Sequence, residues 1–241
     1  MNFSLIGICL DRKQFRRGSD KAPYELRNAF LNIETFLDGI DLQEHWLKDF
    51  GNIIPKNYDD IENQIKSKFS SDSFPIILGG DHSITLPAVK AIKPKVFVSF
   101  DAHPDCDGKE ISPKSVTRKI FESGFKTVLY GVRAISKEES DFLDKNQIKI
   151  ATLEELKKIN ESVYLSIDFD VLDPSIMPSV AYPEPNGLSF NQVLDAVKVL
   201  AKNLVAIDFV EFVPTENITY ALIAGKLIYS SLAEIIKSLQ A

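Results

Sequence analysis

The sequence predicts an α/β protein built around a mainly parallel sheet. Short apolar runs rich in Val, Ile and Phe alternate with amphipathic stretches, as repeated βα units require. At 241 residues and 44% hydrophobic content the chain can bury one sizeable core. No Ser- or Gly-rich linker, low-complexity segment or internal repeat divides it, so one domain over residues 1–241 is expected.

In chain order, the apolar runs place eight strands near 2–9, 42–50, 75–79, 95–100, 126–131, 147–151, 162–168 and 203–209. The amphipathic stretches between them place helices near 23–34, 58–69, 84–92, 113–123, 136–145, 152–159, 189–201 and 218–238. The Pro-rich segment DPSIMPSVAYPEPNG (173–187) between a strand and a helix reads as a long ordered loop, and such loops inside compact domains are usually functional.

A formal charge of −6 with scattered Lys and Arg argues against a nucleic-acid partner, which needs a basic stripe to displace counterions. An acidic balance suits metals or cationic ligands instead. Cys9 and Cys106 lie far apart and form no disulfide framework, as in a reducing cytosol. The N-terminal FSLIGICL stops at Asp11 without a basic flank or small-residue cleavage site, and no run reaches the length of a membrane span. A cytoplasmic protein with no membrane partner is expected.

Four apolar runs end in polar clusters: FPIILGGDHS, VFVSFDAHPD, VYLSIDFDVLDP and LVAIDFVEF. Carboxyl ends of parallel strands share one rim, where ligands bind. Side chains two apart on an extended chain face the same way, so Asp101 pairs with His103, and Asp168 with Asp170. Asp105 continues the row if the chain stays extended, which Pro104 favours. In GGDHSIT the glycines let the backbone pass close to a ligand and the polar residues cap the next helix, with His82 at the rim. Taken singly, GGDHS reads as a capped turn, while DAHPD reads equally as a solvated loop or a metal site and SIDFD equally as a half-exposed edge strand or a metal site; the recurring rim placement favours a shared site.

His82, Asp101, His103, Asp105, Asp168 and Asp170 offer two imidazoles and four carboxylates, which suit two divalent cations better than one. Oxygen-rich donors without thiolate favour Mn²⁺ over structural Zn²⁺, with Mg²⁺, Fe²⁺, Co²⁺ and Zn²⁺ left open. Cys106 points away from the cluster and is left out.

These residues, in this order, resemble the ureohydrolase superfamily of arginases, agmatinases and related guanidino hydrolases. GGDHS, DAHPD and SIDFDVLDP match its three metal motifs, while RRGSDKAPYELR (16–27), YGVR (130–133) and VEFVP (210–214) extend the likeness along the chain. The resemblance implies a three-layer α/β/α fold with an eight-stranded parallel sheet, two Mn²⁺ and a homotrimer or homohexamer. It implies one metal on His82, Asp101, Asp105 and Asp168, and the other on Asp101, His103, Asp168 and Asp170. YPEPNGLS (182–189) and ITYALIAGKLIY (218–229) are similar to agmatinase segments and tilt the substrate towards agmatine, giving urea and putrescine in polyamine biosynthesis. SPKS (112–115) departs from the family's Ser-His-Gly, placing Pro113 where a proton-moving histidine is expected.

Asp105 is then the candidate to orient the nucleophile and pass its proton on, and Glu211 the candidate to pair with the guanidinium. Asp208 and Glu184 read as hydrated acids, Asp173 as a turn former and His45 as structural. Asp107, Lys109 and Glu110 follow the metal loop and are placed to read the far end of the substrate. Competing readings are an arginase, a guanidinobutyrase or another amidinohydrolase, a metal-binding or assembly subunit without turnover, and a single-Zn²⁺ deacetylase.

Overall fold

A computed structural model of the chain describes residues 2–12, 15–45, 47–69 and 72–240. The strands are β1 (Asn2–Ile8), β2 (Phe36–Leu37), β3 (Ile40–Asp41), β4 (Leu47–Ile53), β5 (Ser73–Gly79), β6 (Val96–Phe100), β7 (Lys126–Tyr130), β8 (Lys149–Ile150), β9 (Val163–Asp168) and β10 (Leu204–Val210). The helices are α1 (Ala22–Phe30), α2 (Tyr58–Lys68), α3 (Thr85–Ile92), α4 (Val116–Glu122), α5 (Lys137–Asn146), α6 (Leu153–Leu156), α7 (Phe190–Leu200) and α8 (Ile218–Gln240).

Eight strands make one parallel sheet in the order β4-β1-β5-β10-β9-β6-β7-β8, and β2 and β3 form a small separate antiparallel hairpin. The main sheet matches the expected strand count. The strand expected from residue 42 begins instead at Leu47, because Leu42–Glu44 turn into a 3₁₀ segment whose Gln43 N–H donates to the Asp41 carboxylate at 3.0 Å. That local bond competes with pairing in a ladder. The helix expected from 113 likewise opens with a 3₁₀ turn, Pro113–Ser115, and that expected over 152–159 contracts to α6.

Alternation along each strand sends residues to opposite layers. Val96, Val98 and Phe100 of β6 join Leu165 and Ile167 of β9 beneath α1, α6, α7 and α8. Phe97 and Tyr164, fully buried, face the other way against Ile61, Ile65, Val89 and Ile120 of α2, α3 and α4. Central strands covered on both faces read as continuous apolar runs, which is why the sequence shows them so plainly. Several helices start on side-chain caps: Ser136 with Glu139, Thr152 with Glu155 and Ser189 with Gln192 form capping boxes. Each cap contributes about 1 kcal/mol.

By length and composition α8 is long and apolar enough to cross a membrane, contrary to the reading that no run reaches that length. Half of its apolar window is buried within the structure, with Ala224, Leu227, Ile228 and Ile235 in the core.

The long loop is tied down at both ends. Asp173 accepts from Ser175 N at 3.0 Å and from Gly187 N at 2.9 Å, so it closes the loop as well as starting a turn. A Cβ on Gly187 would lie 2.4 Å from Asp173 N, so only glycine permits that closure. Four strands occupy the middle of the sheet, β5-β10-β9-β6, and they are the four whose apolar runs end in acidic clusters.

Candidate active site

At the end of β5 the two glycines serve the fold rather than a ligand. A Cβ on Gly80 would stand 2.0 Å from Leu10 O, and one on Gly79 would stand 2.6 Å from Val210 Cγ1. The chain therefore crosses closely over its neighbours and turns, with Asp81 capping the turn by accepting from Ser83 N at 2.9 Å and from Arg12 N at 2.6 Å. His82 follows, fully buried.

Asp101 stands one residue beyond β6, its N–H donating to Tyr130 O at 3.0 Å and its Oδ1 accepting from His103 N at 2.6 Å. Asp105 does not extend the row. It has a left-handed φ of 50°, so the chain turns there and its carboxylate reaches His82. Asp168 closes β9 and accepts from Asp170 N at 2.8 Å, while Asp170 accepts from Ala102 N at 2.9 Å and so joins the two acidic loops.

The six expected ligands meet. His82 Nδ1 lies 3.1 Å from Asp101 Oδ2, 2.9 Å from Asp105 Oδ2 and 3.4 Å from Asp168 Oδ2. His103 Nδ1 lies 2.8 Å from Asp170 Oδ2 and 3.6 Å from Asp101 Oδ1. Two sets of donor atoms, from His82, Asp101 and Asp168 and from Asp101, His103 and Asp170, each fall within 4.8 Å of one another and share Asp101.

Burial raises the pKa of Asp168 well above the carboxylate range, and the charges of Asp170 and Asp101 add to it. Asp170 is raised by the same burial and by Asp101, and Asp105 is pushed up to about 7 by burial and then by Asp101. Asp101 goes the other way: burial opposes its charge, but the two imidazoles hold it below the usual range. Burial likewise disfavours charged His82 and His103, yet the adjoining carboxylates outweigh it, raising His82 well up and His103 to about 12. Carboxylates raised and imidazoles raised together describe a cluster that gathers positive charge, the condition a dication can satisfy in place of protons.

Two atoms test that fit. His82 Nδ1 and Asp101 Oδ2 are buried and make no hydrogen bond, although oxygens crowd the imidazole nitrogen from three residues. Close but misaligned donors converging on one point are what a bound cation needs.

A second polar layer lies beneath. His82 Nε2 is 3.0 Å from Ser166 Oγ, which donates in turn to Asp208, and Asp208 also accepts from Thr85 Oγ1 at 2.8 Å and Tyr164 OH at 2.7 Å. This chain of donors places the His82 proton on Nε2 and leaves Nδ1 to face the carboxylates. Asp208 is fully buried, so the reading of it as a hydrated rim acid fails. Across the sheet Ser99 pairs with Ser166, and Ser166 with Asp208. The signal was present in the sequence as Ser-x-Asp twice, Ser99 before Asp101 and Ser166 before Asp168, each serine on the same side as its acid.

A cavity of about 250 Å³ opens over the cluster, lined among others by His103, Asp105, Asp168, Asp170 and Glu211. Glu211 takes a left-handed φ of 66°, donates its N–H to Gly80 O at 2.8 Å and accepts from His82 N at 2.7 Å. Burial, then the charge of Asp81, raises its pKa well above the usual value. Glu184, read from sequence as hydrated, reaches within 3.6 Å of His103 Nε2. Asp107 lines the cavity, whereas Lys109 and Glu110 are exposed and do not.

Cys106 packs with Leu129, Leu143 and Ile148, away from the cluster, and His45 sits edge-on to Phe3. Arg133 went unassigned in the sequence. Its guanidinium donates to Asp170 O at 2.7 Å and Glu184 O at 2.8 Å, holding the long loop against the acidic one.

A sequence profile of the arginase family matches residues 1–233. The N(1)-aminopropylagmatine ureohydrolase of Thermococcus kodakarensis is 35% identical over 263 residues, covering 98% of this chain and 91% of its own. The agmatinase of Pyrococcus horikoshii is 33% identical over 225 residues, covering 83% and 79%. The crystal structure of agmatine ureohydrolase of Thermoplasma volcanium superposes with a TM-score of 0.88 at 30% identity, over 99% of this chain and 91% of that one. With a profile spanning nearly its whole length and a relative matched across almost all of it, this chain belongs to the arginase family.

Proposed function

We propose that the chain is a binuclear-metal hydrolase that cleaves a guanidino compound to urea and an amine, with agmatine, which yields putrescine, as its substrate. The observation that carries this reading is the pair of donor groups sharing Asp101 at the base of one cavity. Kinship with an agmatinase and an aminopropylagmatine ureohydrolase supports the substrate class.

His82, Asp101, Asp105 and Asp168 would hold one cation, and Asp101, His103, Asp168 and Asp170 would hold the other. The oxygen-rich donor set, with Cys106 turned into apolar packing, suits Mn²⁺. When bound, such a pair supplies Lewis acidity and makes a water nucleophilic near neutral pH. Glu211 pairs with the planar guanidinium and orients its carbon towards the cluster. Asp105 takes a proton from the attacking water and returns it to the alkyl nitrogen. A C–O bond forms, the C–N bond breaks, and urea and the protonated amine leave. The whole chain acts as one catalytic domain in the cytoplasm, assembled as a homotrimer or homohexamer.

Urea release from a panel of guanidino compounds, with Mn²⁺ titrated in, tests the reading. Activity on agmatine with about two Mn²⁺ per chain is expected; activity on arginine alone would reverse the substrate choice. Pro113, in the place of the family's proton-moving histidine, favours one second reading, a metal-binding or assembly subunit. Full Mn²⁺ loading with no hydrolysis from neutral to alkaline pH would establish that one instead.

A further inference from the structure

Of the residues lining the cavity, Lys114 is the one Lys or Arg among those described. Its position is built into the fold. The Lys114 carbonyl accepts from Asp107 N at 2.8 Å, two residues past Asp105, and the next residue, Ser115, is buried with its hydroxyl accepting from Ser112 N at 3.0 Å. Lys114 is exposed, and its ammonium lies 4.7 Å from the centre of the Tyr182 ring. No ion pair engages that ammonium among the described residues.

Tyr182 is itself held, its hydroxyl accepting from Phe15 N at 2.9 Å and its ring 6.3 Å from that of His103. The cation therefore stands one aromatic ring outside the ligand cluster, on the wall of the cavity that Glu211 also lines, so the far end of a guanidino substrate held at Glu211 can extend towards it. The other charges available there are acidic. Glu139 is buried, accepting from Cys106 N at 3.1 Å and Ser136 N at 3.0 Å, and Asp107 is exposed on the same wall. A distal ammonium finds these carboxylates but is repelled by Lys114. A distal carboxylate finds Lys114.

We propose that Lys114 sets the charge preference at the distal end of the substrate, admitting guanidino compounds with a distal carboxylate alongside those with a distal ammonium. This rests on the guanidino-hydrolase reading above and assigns to that site a residue that selects substrate without touching the reacting atoms.

The test compares agmatine with 4-guanidinobutyrate, chains of similar length and opposite distal charge, on Mn²⁺-loaded wild type, Lys114→Met and Lys114→Glu. Methionine keeps an apolar stem against Tyr182 and removes only the charge. The ratio of kcat/KM for agmatine over 4-guanidinobutyrate is expected to rise about tenfold in Lys114→Met and further in Lys114→Glu at low ionic strength. Added salt is expected to shrink both changes, which a purely steric role would not produce. A ratio within about twofold of wild type in both variants would overturn the proposal.

Calorimetric Kd values for the same two compounds separate the two readings. If neither compound releases urea but the Kd ratio shifts with Lys114, the hydrolase reading falls and the charge selection stands. If the Kd ratio stays unchanged, or neither compound binds, the selection is rejected whatever the turnover.

Discussion

Asp208 and Asp168 lie near the ends of adjacent strands and are both buried, yet they are provided for in opposite ways. Asp208 receives hydroxyl donors from Thr85, Tyr164 and Ser166. Asp168 faces Asp170 and Asp101, two further acids, with His82 Nδ1 as its one nitrogen neighbour at 3.4 Å. Burial raises the pKa of both, but the His82 charge and the hydroxyls pull Asp208 partway back, while neighbouring acids push Asp168 further up. A buried carboxylate supplied with donors by its own fold is a structural element; one supplied with more carboxylates must take up a proton or a cation. The contrast separates a proposed ligand from its support within one polar column.

The most severe break in that contrast is expected from Asp168→Asn, which removes a carboxylate shared by both proposed cation sites. Turnover should fall by roughly a thousandfold or more, and metal analysis should show Mn²⁺ lost from both sites. An equal loss of metal in Asp208→Asn would erase the distinction.

Asp105→Asn comes next. A loss of turnover of roughly a thousandfold is expected, with Mn²⁺ weakened at one site and retained at the other. Substoichiometric metal with near-normal kcat would remove Asp105 from proton transfer.

For the supporting layer, Ser166→Ala or Asp208→Asn should weaken Mn²⁺ binding by about 10–100-fold through the orientation of His82. Denaturant titration should show a loss of about 1–3 kcal/mol, because a buried partner is left unmatched.

A pH series sharpens the same comparison in the metal-free protein. Asp105 has a folded pKa of about 7 against an ordinary 3.8, so its protonated form contributes stability that is complete below 3.8 and lost as pH rises through about 7. The gain in Tm on adding Mn²⁺ should therefore grow from pH 5 to pH 8, while Mn²⁺ affinity falls as pH drops below about 7. A metal-induced shift that stays flat over this range would count against the protonated cluster. The smallest effect is expected from His45→Ala, within about 0.5 kcal/mol of wild-type stability and with activity near normal.

Much of this was legible beforehand because it is periodic or local. Buried central strands read as unbroken apolar runs, and the acids of DAHPD and SIDFD stand at strand ends. Legibility failed where a turn or a distant partner intervened. Residues 42–44 follow a side-chain bond instead of a strand, the glycines before Asp81 yield to Leu10 and Val210, and Asp105 turns back through a left-handed conformation.

Residue order by itself determined the alternating βα architecture and the set of acids and imidazoles able to meet at one rim, since both follow from spacing along the chain. Only the tertiary structure decided that Asp208 is a support and Asp168 is not. The donors to Asp208 come from Thr85, 123 positions away, and from Tyr164 and Ser166, 44 and 42 positions away, brought together because β10 inserts between β5 and β9. Strand order is a property of the packed sheet, and no local pattern encodes which distant hydroxyl will face which acid.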